Sequence, residues 1–270
     1  LHKIKLAAFD IDDTLLNKEN ELPELTLLAL QKAHKSGVII TLVSGRAYPS
    51  AYKIAQKLSF NVPIICYNGA VIKEADISTP IFISYLEQNT VRQMVDYCHK
   101  YGLYLQMYDE QDNIVVEKIN EKTLADPDYY NTGCREVGDF NKLQEIKTPK
   151  MMIFDTPDNI LSLQKKLQQL FYGRLYFTKS KNHLLEMMAP GVNKAVSLAR
   201  FAEGRHCSAE EIMACGDNAN DIEMVKWAGV GVAVANATPE LKAAADYVCE
   251  YERSEGVVEA IEKFILINEI

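Results

Sequence analysis

The stretch Phe9-Asp10-Ile11-Asp12-Asp13-Thr14-Leu15 follows an apolar strand, Ile4-Lys5-Leu6-Ala7-Ala8-Phe9, and its reading decides the fold. It brings three carboxylates, those of Asp10, Asp12 and Asp13, to one tight turn. Carboxylates that close repel one another unless a cation lies between them. In an open parallel sheet the ligand crevice lies at the carboxyl ends of the strands, which is where these three stand. A hard metal ion, most simply Mg²⁺, and phosphate chemistry follow from that combination of place and charge. Asp and Thr are also ordinary turn and helix-cap residues, so the stretch by itself leaves a plain turn open.

Outward from this turn the chain alternates strand and helix. Leu25 to Lys35 has helical spacing and stops at Ser36-Gly37. Val38 to Val43 is a continuous apolar, β-branched run, as expected of a strand covered on both faces. Tyr52 to Leu58 reads as a second helix, and Pro63 to Tyr67 as a short strand ending at Asn68-Gly69. Two such crossovers imply a parallel, doubly wound sheet. The same rhythm returns after residue 189. Lys194–Glu203, Asp221–Trp227, Pro239–Ala245 and Val257–Phe264 read as helices. Ile212–Cys215, Val230–Val234 and Tyr247–Val248 read as strands.

Between about 82 and 188 the texture differs. A helix is expected over Thr90–Tyr101, another over Ile160–Leu170, and part of a short one over Leu143–Lys147. Short strands come in pairs: Leu103–Tyr108 with Asn113–Lys118, and Leu175–Thr178 with His183–Met187, plus Met151–Phe154. Pairs favour antiparallel hydrogen bonding and an α+β module. The loop around Asp126-Pro127-Asp128-Tyr129-Tyr130 is polar and is assigned to no element. The expected organisation is therefore one Rossmann-like α/β core, residues 1–81 and 189–270, with residues 82–188 inserted as a cap.

Composition narrows the partners. The 270 residues are 48% hydrophobic and 24% charged, suited to a globular protein with a substantial core. A formal net charge of −8 argues against nucleic acid or anionic membrane as a main partner. The six cysteines form no Cys-x-x-Cys pair, so reduced and partly buried thiols are expected. No run is long and apolar enough for a membrane span, and the chain starts directly in a strand without a signal-like segment. A cytoplasmic protein is expected, with no obligate protein partner evident.

Three further polar clusters directly follow apolar runs. Ser44-Gly45-Arg46 offers a hydroxyl, a backbone N–H without a side chain and a guanidinium, which together can bind an oxyanion. It can equally be a capped strand-to-helix turn. Lys194, in Pro190-Gly191-Val192-Asn193-Lys194, stands at a helix start. A cation there opposes the helix dipole by roughly 0.3–1 kcal/mol, which is easier to understand if it points at an anion. Gly216-Asp217-Asn218-Ala219-Asn220-Asp221 again puts carboxylates at a strand end, with Asp217 and Asp221 one helical turn apart. Four such clusters in one doubly wound sheet converge on one crevice.

These residues resemble the haloacid dehalogenase superfamily, closest to its Cof-type sugar-phosphatase branch with a C2-type cap. Asp10 to Leu15 matches the first motif, Val43-Ser44-Gly45-Arg46 the second, Lys194 in Gly191-Val192-Asn193-Lys194 the third, and Gly216 to Met224 the fourth. Tyr67-Asn68-Gly69-Ala70 matches a stretch typical of that branch. The resemblance implies a Mg²⁺-dependent phosphatase of small phosphorylated metabolites such as sugar phosphates. Asp10 is then the nucleophile that forms an aspartyl-phosphate, and Asp12 the proton carrier. Mg²⁺ is held by Asp10, the Asp12 carbonyl and Asp217. Ser44, the N–H groups of Ile11 and Gly45, Lys194 and Asn220 hold the phosphoryl oxygens. Asp221 is expected beside Lys194 or a metal-bound water. Arg46 and Asn68 are substrate-side candidates. Specificity roles for Glu186 and Asn182-His183 are weaker expectations.

Two positions depart from the branch: Asp13 stands where Gly is frequent, and Ala195 follows Lys194 where Gly is frequent. A phosphomutase or phosphotransferase of the same superfamily, or a non-catalytic regulator binding a phosphorylated ligand, remain the alternatives.

Overall fold

A computed structural model describes residues 2–74, 77 and 79–266. Five strands come first: β1 (Leu6–Phe9), β2 (Ile39–Val43), β3 (Ile64–Cys66), β4 (Val71–Lys73) and β5 (Phe82–Ile83). Six follow within the insertion: β6 (Leu105–Tyr108), β7 (Ile114–Val116), β8 (Cys134–Glu136), β9 (Met151–Phe154), β10 (Tyr176–Thr178) and β11 (Leu184–Met188). The last three are β12 (Ile212–Gly216), β13 (Val230–Ala233) and β14 (Tyr247–Val248).

The core sheet runs β14-β13-β12-β1-β2-β3-β4-β5. From β14 to β3 all pairings are parallel. The chain winds outward from β1 through β2 to β3 on one side and from β12 to β14 on the other. The order therefore reverses between β1 and β12, which opens a crevice at their carboxyl ends. β4 and β5 add an antiparallel edge that the sequence reading did not contain. Each is too short to show a period, and β5 keeps the chain in the core sheet to Ile83 rather than leaving near 81.

Both faces of this sheet are covered, which explains its continuous apolar strands. Ala7 and Phe9 pack with helices Glu24–Lys35, Tyr48–Ala55 and Arg253–Phe264. Leu6 and Ala8 point the other way, onto helices Lys194–Glu203 and Ile222–Trp227. The second helix lies at Tyr48–Ala55 rather than at 52–58, with Pro49 in its first turn, where a missing N–H costs nothing.

The insertion is an α+β cap with sheet order β10-β11-β9-β6-β7-β8, antiparallel except for β7 with β8. Helices Gln88–Tyr101 and Pro157–Leu170 cover one face. There Val91, Met94, Val95, Cys98, Ile160 and Leu167 meet Leu105, Met107, Met151, Ile153, Leu185 and Met187. Because strand side chains alternate, Gln106, Tyr108, Met152, Phe154 and Glu186 face the opposite way, toward the core domain. No helix forms at 143–147. Arg92 donates to the carbonyls of Leu143 and Gln144, and the Gln88 side chain accepts from the Ile146 N–H. The backbone there is satisfied by side chains of the neighbouring helix, and Pro149 follows.

All six cysteines are free, and four of them are buried. No helix among the described residues is long and apolar enough to cross a membrane.

Candidate active site

Register brings the strand-end residues level. Phe9 lies opposite Leu42 on one side and Cys215 on the other. Asp10 therefore stands within about one residue, roughly 3.3 Å along the strand, of both Ser44 and Asp217. The Asp10 N–H donates to the Cys215 carbonyl at 3.0 Å. The following turn, Ile11–Leu15, leaves helical geometry at Asp12 and Asp13.

Lys194 is the electrostatic centre. Its ammonium donates to Asp10 Oδ1 and to Asp221 Oδ1, each at 2.6 Å, and it is 1% exposed. The unfavourable end of the helix dipole is thus offset by two carboxylates. Asp221 is saturated, since its Oδ2 accepts the N–H groups of Asp217 and Asn218, both at 3.1 Å. Gly216 is what lets Asp221 approach: a Cβ at 216 would stand 2.6 Å from the Asp221 Cβ. Thr14 donates to Asp217 Oδ1 at 3.2 Å.

Carboxylate oxygens of Asp10, Asp217 and Asp221 lie within 4.8 Å of one another. Three buried carboxylates share one lysine. Burial pushes Asp10 up to about 7, against the pull of Lys194 and with the repulsion of Asp221 and Asp12. Burial, then the charges of Asp10 and Asp221, push Asp217 up to about 9. The excess negative charge and the hard oxygen donors fit a divalent cation. Because Asp221 is already saturated, Asp10 and Asp217 are the side chains left to hold it.

Asp12 and Asp13 turn away from this cluster. Asp12 takes a two-pronged ion pair from Arg46, Nε to Oδ2 at 2.8 Å and Nη2 to Oδ1 at 2.6 Å. Arg46, expected on the substrate, is therefore engaged with the protein while still lining the cavity. Asp13 has φ 60°, the left-handed region where glycine is common and Asp is tolerated. Its carboxylate receives Lys181 of the cap at 2.7 Å and Arg253, and its carbonyl receives Asn236 at 2.8 Å. Burial pushes Asp13 up, but Lys181 and Arg253 outweigh it and hold the carboxyl below its ordinary value.

The other expected residues are brought near. The Ser44 hydroxyl is buried and accepts the Arg46 N–H at 3.1 Å, leaving its proton to donate. Asn220 donates to Asn68, which donates to Glu186 of the cap, both at 3.0 Å. Asn68 is thus a link between core and cap with both amide ends occupied. Lys150, missed in the sequence, bonds Glu186 at 2.8 Å and the Gly45 carbonyl at 2.6 Å. The turn at Gly69 packs on the helix that carries Lys194: Ser197 donates to the Gly69 carbonyl at 2.6 Å, and φ at Gly69 is +104°.

The unassigned loop supplies two more residues. Asp126 and Asp128 are buried and line the cavity with Lys150, Lys181, His183 and Glu186. Asn182 is not among its walls. The cavity encloses about 220 Å³ between core and cap. Only the alternation of Asp with Pro hinted at a rigid, functional loop there.

The model of the haloacid dehalogenase-like hydrolases matches residues 7–261. The chain belongs to that family. It is an enzyme of the hydrolase class, and relatives named as phosphatases align over nearly its full length. A Bacillus subtilis (strain 168) protein named 5-amino-6-(5-phospho-D-ribitylamino)uracil phosphatase is 28% identical, covering 97% of this chain and 96% of its own. The phosphoglycolate phosphatase of Methanothermobacter thermautotrophicus is 28% identical, covering 97% and 99%. A solved sugar phosphatase of subclass IIB superposes with a TM-score of 0.80 at 26% identity, covering 96% of this chain and 98% of that one.

Proposed function

We propose that this protein hydrolyses phosphate monoesters of small metabolites, sugar phosphates among them, through an aspartyl-phosphate on Asp10. One observation carries the reading: Asp10 lies on the cavity wall, bonded to Lys194, with Asp217 within ligand reach. A cavity of about 220 Å³ suits a small ester, since pockets for drug-sized ligands run from about 300 Å³ upward.

In this mechanism the phosphate oxygens are held by the Ser44 hydroxyl, the N–H groups of Ile11 and Gly45, Lys194 and Asn220. An Asp10 oxygen attacks phosphorus, a new P–O bond forms, and the ester P–O bond breaks. Asp12 gives its proton to the leaving oxygen. Water then attacks the same phosphorus, Asp12 takes its proton, and the bond to Asp10 breaks. Arg46 holds Asp12 until a bound phosphate draws on the guanidinium and frees a carboxylate oxygen for the proton. Asp10, the Asp12 carbonyl and Asp217 would hold Mg²⁺, which supplies positive charge to offset that of the phosphoryl group. The insertion that follows β5 acts as the cap that screens this chamber from bulk solvent.

The test is hydrolysis of an aryl phosphate by wild type and Asp10→Asn, with Mg²⁺ and with EDTA. The variant should lose at least about a thousandfold in kcat. Turnover by Asp10→Asn close to wild type would remove Asp10 as nucleophile.

A further inference from the structure

The turn Ser44-Gly45-Arg46-Ala47 carries donors for the phosphoryl group, and the core domain satisfies only part of its backbone. The Ser44 N–H donates to the Ile65 carbonyl at 2.8 Å, and the Ser44 and Arg46 carbonyls accept the Asn68 and Tyr67 N–H groups, both at 3.0 Å. The Gly45 carbonyl and the Ala47 N–H are taken by the cap instead. Lys150 Nζ donates to the Gly45 carbonyl at 2.6 Å, and the Ala47 N–H donates to Asp128 Oδ2 at 2.8 Å.

Lys150 stands just before β9, and Glu186 lies on β11. The register sets Glu186 opposite Met152. Lys150, two residues before Met152, is therefore its diagonal neighbour on the face turned toward the core. The two pair at 2.8 Å, with side chains 3% and 1% exposed. A pair so buried gives up so much hydration that apolar residues of like size often serve stability as well. Stability is thus a weak reason for it, and its contacts supply a better one.

From this pair one hydrogen-bond path leads to each of two phosphate-holding side chains. The first runs through the Gly45–Arg46 peptide. Lys150 polarises its carbonyl, and its N–H, that of Arg46, donates to Ser44 Oγ at 3.1 Å. That bond occupies an Oγ lone pair and leaves the hydroxyl proton to donate. The second runs through Asn68. As a carboxylate Glu186 only accepts, so Asn68 turns its amide nitrogen to Oε1 and its oxygen to Asn220, both at 3.0 Å. Asn220 is thereby held with its nitrogen toward Asn68, and its second N–H is left for phosphate. Both paths meet on Glu186 Oε1, which accepts from Lys150 and from Asn68. The network also presses on the turn itself: a Cβ at Gly45 would lie 3.1 Å from Asn68 Oδ1 and 3.3 Å from Glu186 Oε1.

We propose that Lys150 and Glu186 are positioning residues of the cap that orient Ser44, Gly45 and Asn220 on the phosphoryl group. Phosphate is then held well only where the cap is seated on the core, whatever alcohol the ester carries. The inference rests on the phosphatase reading and adds to it the part of the cap that acts on the phosphate end of the substrate.

The experiment measures the Ki of inorganic phosphate against para-nitrophenyl phosphate hydrolysis, with Mg²⁺ present, and pairs it with urea unfolding. Lys150→Met with Glu186→Leu removes the centre of the network and keeps side-chain volume. This double variant should unfold near the wild-type urea midpoint, yet raise the phosphate Ki by at least about tenfold, as loss of charge-assisted bonds predicts. Asn68→Ala cuts the second path alone and should raise Ki by at least about threefold. Added to the double variant, it should raise Ki by less than about twofold more, because the path is already broken. A merely structural pair would move the urea midpoint and leave Ki unchanged. A Ki within about twofold of wild type in the folded double variant overturns the inference and leaves the phosphatase reading standing. So does a fall in kcat/KM with Ki unchanged, which places the pair on the leaving group. Should the double variant not fold, Asn68→Ala decides by the same measure. Wild type that neither hydrolyses the aryl ester nor binds phosphate overturns the phosphatase reading as well.

Discussion

Raising the pH of the metal-free protein should weaken its fold. Asp10 is pushed up to about 7 and Asp217 up to about 9, from an ordinary 3.8. Below the ordinary value both folded and unfolded chains carry these protons, and the groups add no pH dependence. Above it the unfolded chain releases them while the native cluster keeps them. Stability therefore falls as pH rises, until the native groups also ionise. Lys194 is raised above its ordinary 10.5 by Asp10 and Asp221, which outweigh its burial, so it stays protonated in both states and adds no slope. Asp126 acts in the same direction as Asp10 near the acid end.

The three carboxylates share one lysine, so one retained proton is a conservative measure. One proton corresponds to about 1.4 kcal/mol per pH unit, hence about 3 kcal/mol between about pH 6 and pH 8. For a chain of this size, roughly 2–4 °C of Tm accompany each kcal/mol, giving a fall of about 6–12 °C. Thermal unfolding followed by circular dichroism in EDTA measures it, for wild type and for Asp217→Asn. The variant should show a distinctly shallower fall. Saturating Mg²⁺ should also flatten the wild-type profile, because a cation in the cluster takes the place of the proton. A Tm in EDTA that is level or rising across this range, and alike in both proteins, would refute the account of the cluster.

Other perturbations give separate readouts. Lys150→Met leaves Glu186 charged and buried and should cost about 3–5 kcal/mol in urea unfolding; adding Glu186→Leu should recover most of it. Gly69→Ala forces a Cβ against the Asn193 carbonyl at φ +104°, with an expected loss of at least about 2 kcal/mol. Because Lys194 is the next residue, kcat should fall even in protein that remains folded. Arg46→Ala removes the guanidinium that both orients Asp12 and meets the bound phosphate, and should lower kcat/KM for phosphate esters by at least about tenfold. Arg46→Lys should not restore it, since an ammonium cannot make the two parallel bonds. Activity of Arg46→Lys equal to wild type would show that the two-pronged geometry is not needed.

Much of the fold was legible because its signals are local. The strand ending at Phe9, the β-branched run before Ser44 and the strand before Gly216 are buried on both faces, and burial on both faces writes itself as unbroken apolar sequence. The core strand ends were legible for the same reason. Asp10, Ser44, Lys194 and Asp217 each follow an apolar run or open a helix. The edge strands Val71–Lys73 and Phe82–Ile83 were not, since pieces that short carry no period and form only by pairing, the first with β3 and the second with β4.

The sequence alone determined which residues stand at the strand ends, and hence the type of chemistry they can carry. It could not determine what each of them touches. That Arg46 engages Asp12, that Asn68 is consumed linking Asn220 to Glu186, and that Asp13 is held between Lys181 and Arg253 depend on residues far apart in sequence. The cap wall of Asp126, Asp128, Lys150 and Glu186 is the extreme case. Its members come from a loop, from the residue just before β9 and from β11, and only the folding of the cap sheet onto the crevice gives them a common cavity. Strand alternation fixes which face a side chain takes, but the tertiary packing of cap on core decides that this face meets the site.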